Sequence, residues 1–584
     1  MCQNCYRQSY LNTYTPVIAL NPCDNKVTVE DASTFNIGDT VLIIQMKGAV
    51  VDSSNTAAFG NITNYKNAGN YEFNYVKGKT GNIVELKNVL LRQYDLPDGK
   101  VQLIRVPYYK SITFSNTLTC LPWDGKKGGV LVFNVKDTIK LNNDIDVSGK
   151  GFNGGREENF NNAGTNCGQN DFFYTLGNIF GAAKGEGIAD LSVEKLAGKG
   201  KLANGGGGGN DHNAGGGGGS NATTGGKGGN QFNLCPGPVV INAGIAGFNL
   251  TNYFTQNKIY LGGGGGAGHA NDPGANPFTS GGGKGGALII ISSGYLQSNN
   301  YKIKSNGNDG TSCTGLNCNE GAGGGGAGGS VLLNVNNYID KVITEVSGGN
   351  GANTGPFTTF ITGPGGGGSG GVIWFKQNVN PLGASLNLPG GKNGVNTTAS
   401  NDPWGSLPGI DGLTYNNLVL PITTVLFKKN IDSVNIKSSA INCNTFYFKA
   451  NAFINANAIQ NWQWTFGDGS SAVVQNTSHT FKNAGTFNVK LIATDINGCK
   501  DSITKSISVA TCPTIIINTY TPVTTLDPCD NKITVEDAST FNIGDTVLMI
   551  QMKGAVIDSS NTAAFGTVTN YKNAGNYEFN YVKS

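Results

Sequence analysis

Apolar residues along this chain fall in short runs with strand-like alternation, not at helical spacing. "NKVTVEDASTFNIGDTVLIIQMKG", "NYEFNYVKGKTGNIVELKNVLL" and "GKVQLIRVPYYKSITF" are β-rich stretches broken by Gly, Asn and Asp, the punctuation expected of strands and turns. Residues 1–117 therefore predict a small all-β domain, barrel or sandwich, with no capped helix.

From 118 to 410 the pattern changes. Four times a glycine pair launches an apolar run: "GGVLVFNV" at Gly128, "GGALIIIS" at Gly285, "GGSVLLNV" at Gly328 and "GGVIWF" at Gly370. A turn glycine (Gly149, Gly307, Gly348, Gly390) follows each, 18 to 20 residues after the residue next to the pair. The last three units are spaced 43 and 42 residues apart, a period that marks a repeat architecture. Nearly continuous apolar runs such as Leu288 to Ile291 suit strands buried on both faces, as in a parallel sheet. The expectation is a stacked β-helix or β-solenoid. A propeller has a similar period but needs four strands per blade, and only two fit between glycine tracts.

Glycine runs lie between these strands: Gly205 to Gly209, Gly215 to Gly219, Gly225 to Gly229, Gly262 to Gly266, Gly281 to Gly286, Gly323 to Gly326 and Gly365 to Gly368. Such composition commonly behaves as flexible linker. Here the tracts are of nearly equal length, and the last three lead directly into a buried strand. Glycine backbones can approach closely as three-residue-per-turn helices, so the expectation is order. These tracts resemble the polyglycine-II bundles of a phage tail-tip adhesin and of the glycine-rich domain of anaplastic lymphoma kinase receptors.

After a connecting segment (411–431), residues 432–510 alternate apolar and polar residues over several short strands, as in an antiparallel sandwich. "WQWTFGDGSSAVVQNTSHTFKNAGTFNVKLIATDINGC" closely resembles the polycystic kidney disease (PKD) repeat, an immunoglobulin-type sandwich. The matching residues are Trp464, Phe466, Gly467, Asp468 and Gly469, then His479, Thr480, Phe481, Gly485, Phe487, Val489 and Leu491; Phe481 stands where the family more often has Tyr. The resemblance implies a tight turn at Asp468 and Gly469, a structural role for His479, and a Cys443–Cys499 bridge across the sandwich.

Residues 511–584 begin the chain over. Tyr14 to Lys77 aligns without gaps on Tyr520 to Lys583, and only eight of the 64 positions differ. Four of the eight are apolar swaps (Val27/Ile533, Ile43/Met549, Val51/Ile557, Ile62/Val568), which a core tolerates. The expectation is one full repeat plus the start of the next, from a longer tandem array.

Composition narrows the function. The 88 glycines are about twice the usual share, and charged residues make up only 14 %. Net charge is +3, with four arginines (Arg7, Arg92, Arg105, Arg156); that leaves no basic stripe for nucleic acid. No apolar run approaches the roughly 18 residues of a membrane span, and "MCQNCYRQSYLN" shows no export signal. Twelve cysteines without clustered CxxC pairs point to disulfides and an extracellular setting. Cys5 and Cys23 correspond to Cys512 and Cys529, apart from a one-residue slip at the first, so each pair is expected to bridge. Cys313 and Cys318 could close a small loop. "CQNC" at Cys2 to Cys5 is a lone CxxC, without the second pair that a zinc or redox site would need. With nine cysteines from Cys5 to Cys499, one is left free or links neighbouring chains, unless Cys2 completes the count.

Clustered catalytic chemistry is not visible. His212, His269 and His479 form no HxxxH pair and, in the first two cases, sit on loops, where a solvated role is the ordinary one. "GSNATTGGKGGN" falls short of a phosphate loop because Gly228 follows Lys227. The acids Asp144, Asp146, Glu157 and Glu158 near Arg156 are the nearest approach to a β-helix polysaccharide-lyase site, but the acidic cluster of such a site is not evident and solvated surface accounts for them better. No cofactor and no metal site is expected.

The order of modules, with "IGDTVLIIQMKGA", "DVSGKG", glycine tracts and the PKD-like segment, resembles giant repetitive surface proteins of gliding Bacteroidota, which are adhesins exported by type 9 secretion. The resemblance implies a non-enzymatic structural repeat of an extracellular adhesive filament or stalk. Its partners would be neighbouring repeats, other copies of the filament, and cell-surface glycans or proteins. Contact surfaces are expected in the Asn/Thr-rich loops 152–204 and 231–260. The alternative is a carbohydrate-binding or carbohydrate-cleaving module, motivated by Trp123, Trp374 and Trp404.

Overall fold

The computed structural model describes residues 10–584 except 159, 161–166, 236–241, 252, 272–279, 313–319, 357–359, 456–457 and 515. It is all-β; among the described residues the helical elements are one turn of α-helix (Tyr253–Gln256) and one 3-10 turn (Val193–Lys195).

The first domain has β1 (Tyr14–Asn21), β2 (Lys26–Val29), β3 (Thr40–Lys47), a small β4–β5 ribbon (Val50–Val51 and Ile62–Asn64), β6 (Tyr71–Thr80), β7 (Ile83–Leu86) and β8 (Lys100–Val106). Six of these close into a barrel in the order β1-β2-β7-β6-β3-β8, so the barrel alternative holds over the sandwich. Strand alternation sorts β3 between two cores. Val41 and Ile43 face the barrel interior with Val17, Val27, Phe35, Val84 and Leu103. Leu42, Ile44 and Met46 face outward and join the core of the glycine-rich domain. That double burial explains why "TVLIIQM" reads as continuously apolar although its neighbours are antiparallel.

Pro107 ends the barrel: without an N–H it cannot continue the ladder, and its carbonyl instead accepts the Asn134 N–H at 2.9 Å. The next strands, β9 (Tyr108–Tyr109) and β10 (Ile112–Phe114), pair in parallel with β11 (Val130–Leu141). Both lie inside the expected first domain, 1–117, but their parallel pairing with β11 makes them part of the next sheet.

Two parallel sheets follow. One runs β10-β11-β13-β15-β17-β19, with β9 also on β11, where β13 is Leu288–Gln297, β15 Ser330–Tyr338, β17 Val372–Phe375 and β19 Leu413–Tyr415. The other runs β12-β14-β16-β18 (Ile145–Asp146, Lys302–Lys304, Ile343–Glu345, Ser385–Asn387). Leu288 pairs with Ser330 and Ser330 with Val372, so each unit repeats in register and stacks its apolar residues on those of the next. β19 lies beyond the expected boundary at 410.

The glycine tracts are buried and hydrogen-bonded to one another, and the direction of bonding has a period of three. Gly215 and Gly218 donate to Gly229 and Gly226, Gly216 and Gly219 to Ala322 and Gly325, and Gly217 to Gly207. Likewise Gly262 and Gly265 donate to Gly286 and Gly283, Gly263 and Gly266 to Ser220 and Gly217, and Gly264 and Ala267 to Glu186 and Ala183. Each tract thus sends its N–H groups to three neighbours in turn. The packing leaves no space for a side chain: a Cβ on Gly266 would lie 1.9 Å from the Gly207 carbonyl oxygen, and one on Gly265 2.1 Å from that of Gly324.

The PKD-like segment has two sheets, β20-β21-β24 and β23-β22-β25-β26. These strands are β20 Ile431–Ala440, β21 Thr445–Ile454, β22 Ile459–Thr465, β23 Ser471–Ala472, β24 Asn476–Thr480, β25 Gly485–Asp495 and β26 Lys500–Val509. Phe448, Trp464, Phe466, Phe481, Val489 and Leu491 form its core; burying each such side chain contributes about 1.5–3 kcal/mol. The last strands, β27 (Val523–Asp527), β28 (Lys532–Val535), β29 (Thr546–Ile550), β30 (Val556–Ile557), β31 (Val568–Asn570) and β32 (Tyr577–Tyr581), form three separate two-stranded sheets.

Candidate functional site

One cluster of charged side chains lies where the barrel meets the glycine-rich domain. Lys47, at the end of β3, is buried and pairs with Glu186 at 2.8 Å and Asp190 at 2.5 Å. The other Glu186 contacts are N–H donors: the Trp123 indole at 2.9 Å, and the backbone and side-chain amides of Asn153, both at 3.0 Å. Burial alone would lower the Lys47 pKa and raise that of Glu186, but the mutual attraction outweighs it and drives both the other way. This ion pair fastens the barrel to the glycine-rich domain. The connecting segment adds a backbone seam, with Phe73 N–H on Pro421 O and Val89 N–H on Val425 O, both at 3.0 Å.

Disulfides extend the fastening, in pairings that differ from the sequence expectation. Cys23, in the β1–β2 turn, bonds Cys499, in the β25–β26 turn, across 476 residues. Cys443 bonds Cys512, not Cys499, and Cys529 is exposed and free. The expected Cys443–Cys499 and Cys512–Cys529 bridges are therefore not formed, and Cys23 is not available to Cys5. Cys5, Cys313 and Cys318 lie outside the described residues. Cys167–Cys235 is a further bond that no spacing signal suggested. Cys120 is a buried free thiol, its pKa pushed up to about 12 by burial; it is inert core.

Two histidines read as solvated are buried. His269 accepts the Asn213 N–H at its Nδ1 (3.2 Å), and its Nε2 faces Ile179 O at 2.8 Å. Burial pushes its pKa down to about 4, so the ring is neutral at pH 7. His212 is 7 % exposed and packs on Phe232. A ring nitrogen of His212 and the sulfurs of Cys167 and Cys235 lie within 4.8 Å of one another, but the two sulfurs are joined to each other and are not thiolate ligands. The His269 backbone bonds to Ala214 and Gly321, next to two glycine tracts, so its burial is not visible in the local polar composition.

The remaining enzyme candidates are engaged structurally. Asp144 pairs with Lys304 at 2.6 Å and accepts the Lys302 N–H at 2.8 Å; burial would raise its carboxyl, but these contacts hold it below the ordinary value. Asp146 is 4.0 Å from the same ammonium, and Arg156 is paired with Glu158 at 2.6 Å. The backbone N–H groups of Gly226, Gly228 and Gly229 donate to Gly367, Gly244 and Pro364, and that of Gly225 to the Ser220 hydroxyl, so the four glycine N–H groups of the "GGKGG" stretch are engaged within the protein. Trp123 and Trp374 are buried, and the indoles of Trp374 and Trp404 donate to Asn416 O and Gln231 O at 3.0 and 2.8 Å. Much of the two loops expected as contact surfaces is also buried, including Ala182 to Gly185, Ala197 to Gly200 and Lys258 to Tyr260. Exposed there, among others, are Arg156, Glu157, Asp171, Thr175, Ser192 to Glu194 and Leu234.

Lys184 is the most unusual charge. It is buried, donates to the carbonyls of Phe172, Gly198 and Gly200 at 2.6–2.7 Å, and lies 4.8 Å from the Phe59 ring centroid. Burial pushes its pKa well below the lysine value.

In the PKD-like segment the signature residues meet. His479 Nε2 is 2.7 Å from Asp468 Oδ2, and its ring stacks on Phe466 at 4.0 Å and sits edge-on to Phe481 at 4.6 Å. Asp468 also accepts the Ser470 N–H at 3.0 Å. Burial would raise its carboxyl; the Ser470 and His479 hydrogen bonds overcome that and bring it down to about 2.

Residues 430–511 match the family model of the PKD domain. Solved structures similar to this part are the PKD1 domain of Vibrio anguillarum Epp (19 % identity, TM-score 0.13) and the PKD1 domain of the Vibrio cholerae metalloprotease PrtV (22 %, 0.12). Each match covers 14 % of this chain and 94 % of the other. Among curated proteins no match is found. The chain thus contains a PKD domain, and with three disulfides among the described residues it has the character of a secreted or extracellular protein.

Proposed function

We propose that this chain is a structural, non-catalytic repeat of an extracellular adhesive filament or stalk that attaches a bacterial cell to surfaces or to other cells, prey included. The observation that carries the reading is the near-identical second start of the barrel directly after the PKD domain, with 56 of 64 positions unchanged. A barrel, a stacked parallel-strand body and a sandwich that recur in this order build length, and short joints give semi-rigid rods. The three-residue period of the glycine tracts supports a polyglycine-II bundle that stiffens a β-solenoid. The Lys47–Glu186 pair and the Cys23–Cys499 bond hold a module together under pull and dilution outside the cell. The resemblance to giant repetitive surface proteins of gliding Bacteroidota adds type 9 secretion as the export route.

The test is attachment. Fab fragments against the glycine-rich domain, added to source cells, should block their attachment to surfaces and to other cells. Unchanged attachment at saturating Fab would refute the adhesive role.

A further inference from the structure

Among the described residues four lysines are buried, Lys47, Lys184, Lys199 and Lys258, each 4–6 % exposed. Lys47 meets carboxylates, and Lys184 and Lys258 donate to backbone carbonyls. Lys199 instead sets its Nζ on Oδ1 of the Asn170 side chain. An amine shielded from water therefore faces a carboxamide.

The surroundings hold the two together. Asn210, which is fully buried, accepts the Lys199 N–H at 2.8 Å through Oδ1 and donates through Nδ2 to Gln169 O and Asp171 O at 3.1 and 2.9 Å. One side chain thus ties the lysine backbone to the carbonyls on either side of Asn170. Asn55 pins the same loop, donating to Asp171 Oδ1 at 2.8 Å and accepting the Phe172 N–H at 2.7 Å, and the Cys167–Cys235 bond anchors its start. The Phe172 ring centroid lies 4.8 Å from the Lys199 Nζ and covers it. Burial lowers the Lys199 pKa, with the Asp171 charge opposing in part, and a desolvated amine is the nucleophilic form. Asn170 is itself exposed, which gives a small leaving group its way out. Lys376 and Asn336 make the same kind of contact with both residues in water, and so lack the shielding.

We propose that Lys199 and Asn170 join in an intramolecular isopeptide bond, a self-modification that fastens the loop 167–172 to the glycine-rich body. The Nζ lone pair of the neutral amine adds to Asn170 Cγ, about 1.2 Å from the Oδ1 it already touches. The Cγ–Nδ2 bond then breaks and its electron pair leaves with the nitrogen. One Nζ proton moves to that nitrogen, ammonia departs, and no oxidant, metal or other reagent is consumed. Asp171, the carboxylate whose charge acts on Lys199, carries the proton across. The product constrains the unfolded chain as a disulfide does but survives reductants. The inference is independent of adhesion, so a failed attachment test leaves it standing.

The experiment is mass spectrometry of the 584-residue chain after its disulfides are reduced. The intact mass should fall short of the sequence by one ammonia. Trypsin should release a branched species in which the peptide containing Asn170 is joined to the one containing Lys199, uncleaved after Lys199. The Lys376–Asn336 pair should stay unlinked. Lys199→Arg and Asn170→Ala should each restore the full mass and remove the branched species, with the Cys167–Cys235 bond, mapped before reduction, reporting that the loop has folded. Asp171→Asn should lower the linked fraction about tenfold or more early in refolding; linkage at the parent rate overturns the proton-carrying role. The inference as a whole is overturned if the parent chain shows its full mass while Cys167–Cys235 is formed. It is equally overturned if the ammonia is lost from the Asn170 peptide alone, as a succinimide, with no branch to Lys199.

Discussion

Replacing Gly266 by alanine tests whether the glycine tracts are packed or merely flexible. The new Cβ would meet the Gly207 carbonyl oxygen at 1.9 Å and its carbon at 2.4 Å. Contacts under 3.0 Å are essentially never seen for a real Cβ, so the two tracts must separate by about 1.1 Å. That carbonyl accepts the Gly217 N–H at 2.8 Å, and Gly266 itself donates to Gly217 at 2.8 Å. Both bonds are strained or lost at about 0.5–1.5 kcal/mol each, and overpacking adds about 1–3 kcal/mol. Against this, alanine restricts the unfolded chain and returns about 0.4–1 kcal/mol. The expected loss is about 1–6 kcal/mol, read by calorimetry and by faster exchange at the amides of Gly217 and of residue 266, the two donors in these bonds. Gly168→Ala is the control, since nothing lies within 4 Å of its Cβ position. If Gly266→Ala costs no more than Gly168→Ala, the tracts are not a packed bundle.

Three further outcomes are expected. Glu186→Ala strands the buried Lys47 beside Asp190 alone and should cost about 3–5 kcal/mol by calorimetry, with Glu186→Gln milder. Lys184 titrates below its unfolded value, so the native state binds fewer protons than the unfolded state from that depressed value up to 10.5. Parent stability should therefore rise with pH across this window relative to Lys184→Met in paired urea titrations; a constant gap would contradict the burial of that charge. Asp468, held at about 2 against 3.8, contributes stability above pH 4 that is lost as pH falls through about 2. Asp468→Asn should lower PKD-domain stability by about 1–2 kcal/mol at pH 7 and abolish that acid loss, as read by hydrogen exchange in β22 and β25.

Much of the architecture was legible in the pattern. The glycine-pair spacing located β11, β13, β15 and β17, and the 42-residue step became their register. The W-x-F-G-D-G signature located the PKD domain. What escaped was everything that depends on distant chain segments. Double burial of β3 looks the same in sequence whether its neighbours are parallel or antiparallel. Cysteines that recur in both copies suggested local bridges, yet Cys23 and Cys512 each reach into the PKD segment. His212 and His269 sit in polar, glycine-rich surroundings that normally mean solvent, and it is segments well separated in sequence, such as Ile179, Asn213 and Gly321 around His269, that bury them. Asp144 looked like free surface because Lys304, its partner, comes from another unit of the stack.

The most direct test of the filament reading is immuno-electron microscopy of the source cells with an antibody to the glycine-rich domain, followed by averaging of labelled fibres. The account predicts labelled fibres with a regular axial repeat, one per 506-residue offset between the barrel copies. Label spread evenly over the cell surface, or released into the medium without fibres, would contradict it.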